Sequence, residues 1–465
     1  MRRNYGRLRF ALAITFLGAV TAYLMFGAKV FSFLANVQPG PQWVRFMAGA
    51  TWTSVIMTGV FVISTALFGR FFCAVLCPLG TVQDTVSACR PHHKASIPNL
   101  KVFRYVIAGL SMILLIGGWA ILIRFLDPFS RYSAFVAAIS RNSDAPGQIS
   151  TAFLPSAVLG GIAPVIILVM AAWWRKRIYC SAFCPVGTIL GLVSRVGMFR
   201  LRMHDSCVGC GACERICPPG CIDIEAKTID AERCLLCLRC ISVCPMGSIS
   251  YGRKPNSYSG RNGAINHSRR NFLIASTGFA ASVVSAGIGL SGVVRSIAQA
   301  AEKTLGLILP PGAFDAARFA RQCTACQLCV LHCPAKIIKP SPLGYGPVRL
   351  DYTRSGCSYD CVACSSVCPS GAISRLTLVD KQWLKIGEAV IDTKQCKALK
   401  DGVPCDLCEK ACPKGAIFML DGPDGKKVPE VAAFHCIGCG VCQAVCPTRP
   451  KAITVQSIEQ RPMGS

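Results

Sequence analysis

The spacing of cysteines constrains this chain more tightly than any other feature. Most of its 30 cysteines fall into six groups of four, each closing in C-x2-C-x3-C-P. Four groups are strict C-x2-C-x2-C-x3-C-P: Cys207, Cys210, Cys213 and Cys217; Cys234, Cys237, Cys240 and Cys244; Cys323, Cys326, Cys329 and Cys333; Cys436, Cys439, Cys442 and Cys446. Two depart at their start. Cys357 opens a wider gap before Cys361, Cys364 and Cys368, and Cys396 stands well ahead of Cys405, Cys408 and Cys412. Three thiolates two residues apart can wrap three irons of a cubane, and the proline then turns the chain so that the fourth thiolate points to a neighbouring cluster. Zinc favours paired knuckles far apart, and groups this tight do not make a disulfide framework. Six groups predict six [4Fe–4S] clusters. In the first two groups, Cys207, Cys210, Cys213 and Cys244 are expected on one cluster, and Cys234, Cys237, Cys240 and Cys217 on the other. For the last four groups, sequential pairing and first-with-fourth pairing both fit the spacing.

Around these groups the chain is apolar. Its 465 residues are enough for two or three domains. It is 52% hydrophobic with a mean hydropathy of +0.45, too high for an ordinary soluble protein. Apolar runs at about 10–34, 49–68, 105–125, 154–174 and 272–294 each reach the roughly 20 residues that span a bilayer as a helix. Basic residues orient them. Arg2, Arg3, Arg7 and Arg9 precede the first run; Arg70, Arg90, Lys94, Lys101 and Arg104 lie between the second and third; Arg175, Lys176, Arg177, Arg195, Arg200 and Arg202 follow the fourth. The other loops are poorer, with Arg45 in one and Arg124, Arg131 and Arg141 in the other. The N-terminus and residues 175–270 are therefore expected in the cytoplasm and residues 302–465 outside. The fifth run opens with SRRNFLIA (Ser268–Ala275), which resembles a twin-arginine export signal, a route for folded cargo with cofactors already inserted. Ala298, Gln299 and Ala300 resemble a small-residue cleavage site. A net charge of +27 by itself suggests nucleic acid. Its position beside apolar runs, and the negative charge that thiolate-held clusters carry, point away from a nucleic-acid partner.

The expected fold class is an α-helical membrane protein, a four-helix membrane module plus a fifth span, with α+β ferredoxin-like [4Fe–4S] modules on both sides. Residues 1–200 form the membrane module and 201–255 a cytoplasmic double-cluster module. Residues 256–301 hold the basic linker, the export-like motif and the fifth span, and 302–465 a periplasmic polyferredoxin domain.

A shorter pattern repeats at the edge of the second and fourth runs: FFCAVLCPLG (71–80) and IYCSAFCPVG (178–187). On a helix, cysteines four apart share a face, and Pro78 and Pro185 bend or end each helix nearby. Four thiolates, Cys73, Cys77, Cys180 and Cys184, then stand at one depth. Three roles remain open for them: a shared metal centre or cluster, redox-active thiols, or packing. None of the six histidines lies inside an apolar run, which leaves no histidine pairs to hold haems across a membrane. His92 and His93 are read as solvated, and Cys89 and Cys221 as small buried hydrophobes.

With these motifs in place, residues 1–250 resemble NapH, the membrane subunit of a quinol dehydrogenase, on Cys73–Cys77–Pro78, Cys180–Cys184–Pro185 and the module at 207–250. The same membrane module is similar to part of NosR and to MauN. Residues 268–465 resemble NapG and MauM, with a twin-arginine start and four clusters. The whole looks like a NapH–NapG fusion. The resemblance implies a membrane quinol dehydrogenase that passes electrons from the quinone pool through clusters to a periplasmic cytochrome or reductase, at a bacterial inner membrane. Two other readings stand beside it: a non-catalytic electron-transfer subunit with further membrane redox partners, and a maturation factor supplying electrons to a periplasmic metalloenzyme. No flavin or nucleotide motif and no Ser/His/Asp constellation is present. A carboxylate near a quinol can take its proton, which makes Asp84 at the inner face, and Asp127 with Arg131 at the outer face, the candidate quinol-site residues.

Overall fold

The computed structural model describes residues 5–26, 33–49, 52–89, 100–116, 120–143, 157–253, 307–340, 347–421 and 427–463. The chain divides into two compact units, residues 1–136 with 161–293, and residues 137–160 with 294–465. The export-like segment, the fifth apolar run and His92 and His93 lie outside the described residues.

The first unit begins with α1 (Tyr5–Phe26), a short α2 (Phe33–Asn36) and α3 (Pro39–Gly49). Helix α4 (Trp52–Phe68) stops at Gly69, whose φ of 80° no helix continues. Next come α5 (Phe71–Val75), Cys77 in extended conformation, and α6 (Pro78–Ala88) with its proline at the first helical position. The second half repeats this frame. A π-helical turn, Val158–Ile162, runs into the helix Ala163–Arg175; a second, Tyr179–Phe183, stands where α5 stands; Cys184 is extended and Pro185 opens the helix Pro185–Ser194. The two cysteines of each pair therefore do not share one helical face. A proline drives the residue before it out of helical conformation, and that residue is Cys77 in one half and Cys184 in the other.

Two described helices, Tyr5–Phe26 and Val158–Arg175, are long and apolar enough to cross a membrane; Trp52–Phe68 is apolar but shorter. The third apolar run is divided between α7 (Lys101–Ile116) and α8 (Ile121–Leu126), after which Asp127 caps α9 (Pro128–Ser143). The rest of this unit is an α+β module. Strands β1 (Phe199–Met203) and β4 (Ile249–Arg253) pair antiparallel, Phe199 opposite Arg253, and enclose the short pair β2 (Ile222–Asp223) and β3 (Thr228–Ile229). The module is fastened to the end of α4: Met198 N–H donates to the Ala66 carbonyl at 3.0 Å, Tyr251 Oη to the Phe68 carbonyl at 2.9 Å, and the Phe68 and Phe199 rings stack.

The second unit has helices of four to seven residues and three antiparallel pairs among its described residues. These are β5 (Ile338–Lys339) with β6 (Arg349–Leu350), β8 (Ile417–Asp421) with β9 (Lys427–Val431), and β7 (Leu384–Ile391) with β10 (Ile453–Pro462). A continuous core including Phe319, Val330, Ile338, Tyr352, Leu384 and Ile453 runs between the cysteine groups. Strands β7 and β10 bracket the last two groups in sequence, so their pairing closes that half of the unit.

Candidate functional site

Each cysteine group is a loop running into a short helix, and its last cysteine turns away at the proline. The consequence is an exchange of fourth thiols. Cys207, Cys210, Cys213 and Cys244 line one hollow. Cys234, Cys237, Cys240 and Cys217 stand within electrostatic reach of one another. In the second unit, Cys323, Cys326 and Cys329 meet Cys368, and Cys357, Cys361 and Cys364 meet Cys333. Cys396, Cys405 and Cys408 share a hollow with Cys446, and Cys436, Cys439 and Cys442 share one with Cys412. Of the two pairings open for the last four groups, these quartets follow the sequential one.

The loops fit the cluster they imply. In the strict groups, the residues flanking the second cysteine have positive φ whether or not they are glycine: Gly209 and Gly211, Leu236 and Leu238, Ala325 and Gln327, Gly438 and Gly440. Leucine, alanine and glutamine do not choose that conformation, so the spacing imposes it, turning successive N–H groups inward as an anion-binding nest does. The two departing groups lack this pattern. Further N–H groups donate to the turning cysteines, Ala416 to Cys412 Sγ at 3.2 Å and Ile373 to Cys368 Sγ at 3.4 Å. Among the described residues no three His, Cys, Asp or Glu converge closely enough for a single metal ion. Three thiols from one group and the fourth from its neighbour form the donor pattern of paired [4Fe–4S] modules.

Cys221 is buried, with its Sγ 3.5 Å from Cys217 Sγ. Cys89 is exposed, which corrects its expected burial: it caps the open end of α6.

Cys73, Cys77, Cys180 and Cys184 are all buried and within electrostatic reach of one another. Two guanidiniums missed in the sequence flank them, Arg70 at 1% exposure and Arg177 at 0%. Each stands immediately before its motif, and each crosses to the other half. Arg177 donates to the Cys73 carbonyl at 2.8 Å and lies 3.5 Å from where a Cβ on Gly80 would sit. Arg70 lies 2.7 Å from where a Cβ on Gly187 would sit, and 3.9 Å from Cys73 Sγ. Gly187 N–H donates to Cys184 Sγ at 3.3 Å and Gln83 Nε2 to Cys180 Sγ at 3.5 Å. Buried cations and N–H donors around four thiols suit an anionic thiolate assembly.

Asp84 is fully buried behind this group. It accepts from Arg177 Nε at 2.8 Å and Nη2 at 2.6 Å and from Arg9 at 2.9 Å, with Arg239 of the α+β module at 3.4 Å. Burial opposes its ionisation, and these guanidiniums overcome it and hold its pKa at about 2. The matching charge in the other half is Glu232, also of the α+β module. It pairs with Arg104 and with Arg195 at 2.6 Å, accepts from Tyr105, and offers its backbone carbonyl to Arg70 at 2.9 Å. Asp127 accepts from Ser130 N–H and Oγ, both at 2.7 Å, and has the buried Arg131 in electrostatic reach. Tyr179, in the turn that carries Cys180, donates to the Leu126 carbonyl and has Asp127 and Cys184 in its field. Asp127 thus lies beside the cysteine turn, where Tyr179 holds the carbonyl of the residue before it.

Comparison with known proteins bears on these same segments. A 4Fe–4S binding domain matches residues 50–96 and again 156–204, the two halves of the repeat that carries Cys73 and Cys180. Models of 4Fe–4S dicluster domains match 206–248 and 403–449, 322–373, and 230–337. Ferredoxin-type protein NapG of Escherichia coli (strain K12) is 32% identical over 187 residues, 36% of this chain and 79% of NapG. Ferredoxin-type protein NapF of the same strain is 32% identical over 150 residues, 32% of this chain and 84% of NapF. The methylamine utilization ferredoxin-type protein MauM of Methylorubrum extorquens is 28% identical over 198 residues, 40% of this chain and 88% of MauM. No solved structure matches.

Proposed function

Because the chain belongs to the family of ferredoxin-type iron–sulfur proteins that includes NapG and NapF, we propose that it is a membrane-bound quinol dehydrogenase. In this reading it joins a NapH-like membrane module to a NapG-like polyferredoxin and passes electrons from membrane quinol to a periplasmic reductase or cytochrome. One observation carries the reading. The α+β module with its two cysteine quartets is ion-paired to residues around the buried four-thiol group, Arg239 with Asp84, which also holds Arg177, and Glu232 with Arg104.

Bound [4Fe–4S] clusters supply one-electron transfer. The six quartets named above are the residues to hold them, and Cys73, Cys77, Cys180 and Cys184 are the candidates for one further shared centre. The remaining work falls to side chains. Arg70 and Arg177 place buried positive charge beside the thiols. Asp84, spoken for by three guanidiniums, holds the module in place and is a poor proton acceptor. Asp127, buried beside Tyr179 with Arg131 at hand, is the better placed carboxylate to take a quinol proton. The proposed topology keeps the N-terminus and residues 207–250 in the cytoplasm and sends residues 302–465 to the periplasm by the Arg269–Arg270 signal.

The test is anaerobic oxidation of a reduced quinone analogue by the purified full chain, followed by bleaching of the iron–sulfur absorbance. Quinol oxidation that falls at least tenfold in Asp127→Asn, with iron content near wild type, is expected. Chemically reduced protein that passes electrons on while no quinol is oxidised would instead make the chain a non-catalytic electron-transfer subunit. Iron that does not fall when the four repeat cysteines are changed to serine together would remove the shared centre.

A further inference from the structure

We propose that a basic hollow between α1 and the α+β module binds the phosphate headgroup of an anionic phospholipid. The inference rests on the membrane reading of α1 and goes beyond the proposed electron transfer. The hollow has a volume of about 710 Å³. Four cations line it: Arg7, Arg9, Lys176 and Arg239. None of its lining residues is acidic. Asp84 stands behind the wall, where it already serves Arg9, Arg177 and Arg239. Ser87 and Ser242 add hydroxyls, and Phe10 and Val243 add an apolar flank. A free anion has no use for that flank; the glycerol end of an acyl chain does.

Lys176 is the residue whose presence most needs a reason. It occupies the position that Gly69 occupies in the first half, immediately before the crossing arginine. Gly69 has φ 80°, and Lys176 also has a positive φ, 52°, with ψ −124°. That conformation suits glycine and strains a lysine, and strain of this kind persists where the side chain has work to do. The residue is buried, with 6% exposure, and its Nζ donates to the Arg215 carbonyl at 2.9 Å. Burial and the nearby Arg239 both disfavour its charge. A phosphate between the two cations removes that repulsion.

Position favours a lipid over a soluble anion. Arg7 and Arg9 lie in the first turns of a 22-residue apolar helix, where a cytoplasmic leaflet presents its headgroups. Basic pockets between helices at that depth bind anionic headgroups.

The experiment uses the full chain in neutral detergent and follows thermal unfolding against added phosphatidylglycerol, phosphatidylcholine or inorganic phosphate. Phosphatidylglycerol should raise the midpoint and phosphatidylcholine should not. Lys176→Gly restores the residue of the first half and relieves its backbone, so it should fold. It should require about fivefold more phosphatidylglycerol for the same shift, the effect of one lost cation near a charged leaflet. Equal shifts from both lipids, or equal lipid dependence in wild type and Lys176→Gly, overturn the site. Inorganic phosphate acting at the same concentration as phosphatidylglycerol also overturns the lipid assignment and leaves a soluble-anion site. Recovery of the wild-type chain from the soluble fraction of lysed cells would instead remove the membrane reading, whatever the lipid titration gives.

Discussion

The two halves of the repeat that carries Cys73 and Cys180 share a frame and differ in one partner. Reading from the crossing arginine, RFFCAVLCPLGTVQD ends on Asp84 and RIYCSAFCPVGTILG ends on Gly191. Arg177 reaches over Gly80 and finds Asp84 in the same frame. Arg70 reaches over Gly187 and finds only a glycine where the aspartate would be. Glu232 fills that place from the α+β module: a Cβ on Gly191 would sit 2.7 Å from the Glu232 carbonyl oxygen and 3.3 Å from its Cγ. Arg177 is thus neutralised from within the repeat, by the Asp84 of the half it reaches into. The other half is completed by the module that carries the first two cysteine quartets. The asymmetry therefore makes docking of that module a condition for burying Arg70, and couples the integrity of the two cysteine sites.

Breaking the internal half should cost most. Asp84→Asn leaves Arg9, Arg177 and Arg239 sharing a neutral amide in a fully buried site. Loss of about 3–5 kcal/mol of stability is expected, the range for removing one partner of a buried pair, read as a lowered unfolding midpoint of the full chain. A loss under about 1 kcal/mol would mean that the guanidiniums find other anions. Breaking the other half should cost less. Glu232→Gln keeps the backbone carbonyl on Arg70 and loses only the charged contacts to Arg104 and Arg195, about 1.5–3 kcal/mol. Its distinguishing readout is protease access to residues 207–250, which should rise in Glu232→Gln at temperatures where the Cys73–Cys184 region remains folded.

How much of this was legible beforehand divides along the range of the contacts. The six cysteine groups, the exchange of fourth thiols between the first two and the break at each proline follow from spacing within a few tens of residues. The pairing of the last four groups did not, because spacing alone does not say which loop folds beside which. Asp84 is visible as a polar residue after an apolar run, and its role is not, since its partners Arg9, Arg177 and Arg239 stand far off along the chain. Glu232 meets Arg70 across 162 residues, with nothing local to mark it. Asp127 lies in the field of Tyr179 in the cysteine turn, a contact that nothing in the local sequence marks. The crossing arginines left a trace that aligning the two motifs one residue further upstream reveals.

Gly191 permits a sharper test, because the space its missing side chain leaves is what Glu232 uses. Gly191→Ala adds one methyl against the Glu232 backbone and should cost about 1–3 kcal/mol, as overpacking does. Gly80→Ala is the control in the other half: there a Cβ would meet the Cys73 carbonyl at 2.9 Å and the Arg177 guanidinium at 3.5 Å, without touching the α+β module. Both variants should lose stability, and only Gly191→Ala should raise protease access to residues 207–250. Equal access in the two would mean that the module does not depend on the Gly191 contact.

The smallest effect separates the two arginines on Glu232. Arg104 is buried with it, whereas the side chain of Arg195 is 53% exposed, although its Nε lies only 2.6 Å from the carboxylate. An exposed partner surrenders little solvation and holds little energy, so distance alone overstates this contact. Arg195→Ala should cost less than about 1 kcal/mol, and raising the salt concentration should shrink that cost further, since exposed pairs are screened far more than buried ones. In the Glu232→Gln background the same substitution should be close to neutral, because its partner charge has gone. A cost equal to that of Glu232→Gln, or one that salt leaves unchanged, would make Arg195 the anchor of the module. The second half would then be held from its rim, and its likeness to the internally neutralised half would end at the arginine that crosses.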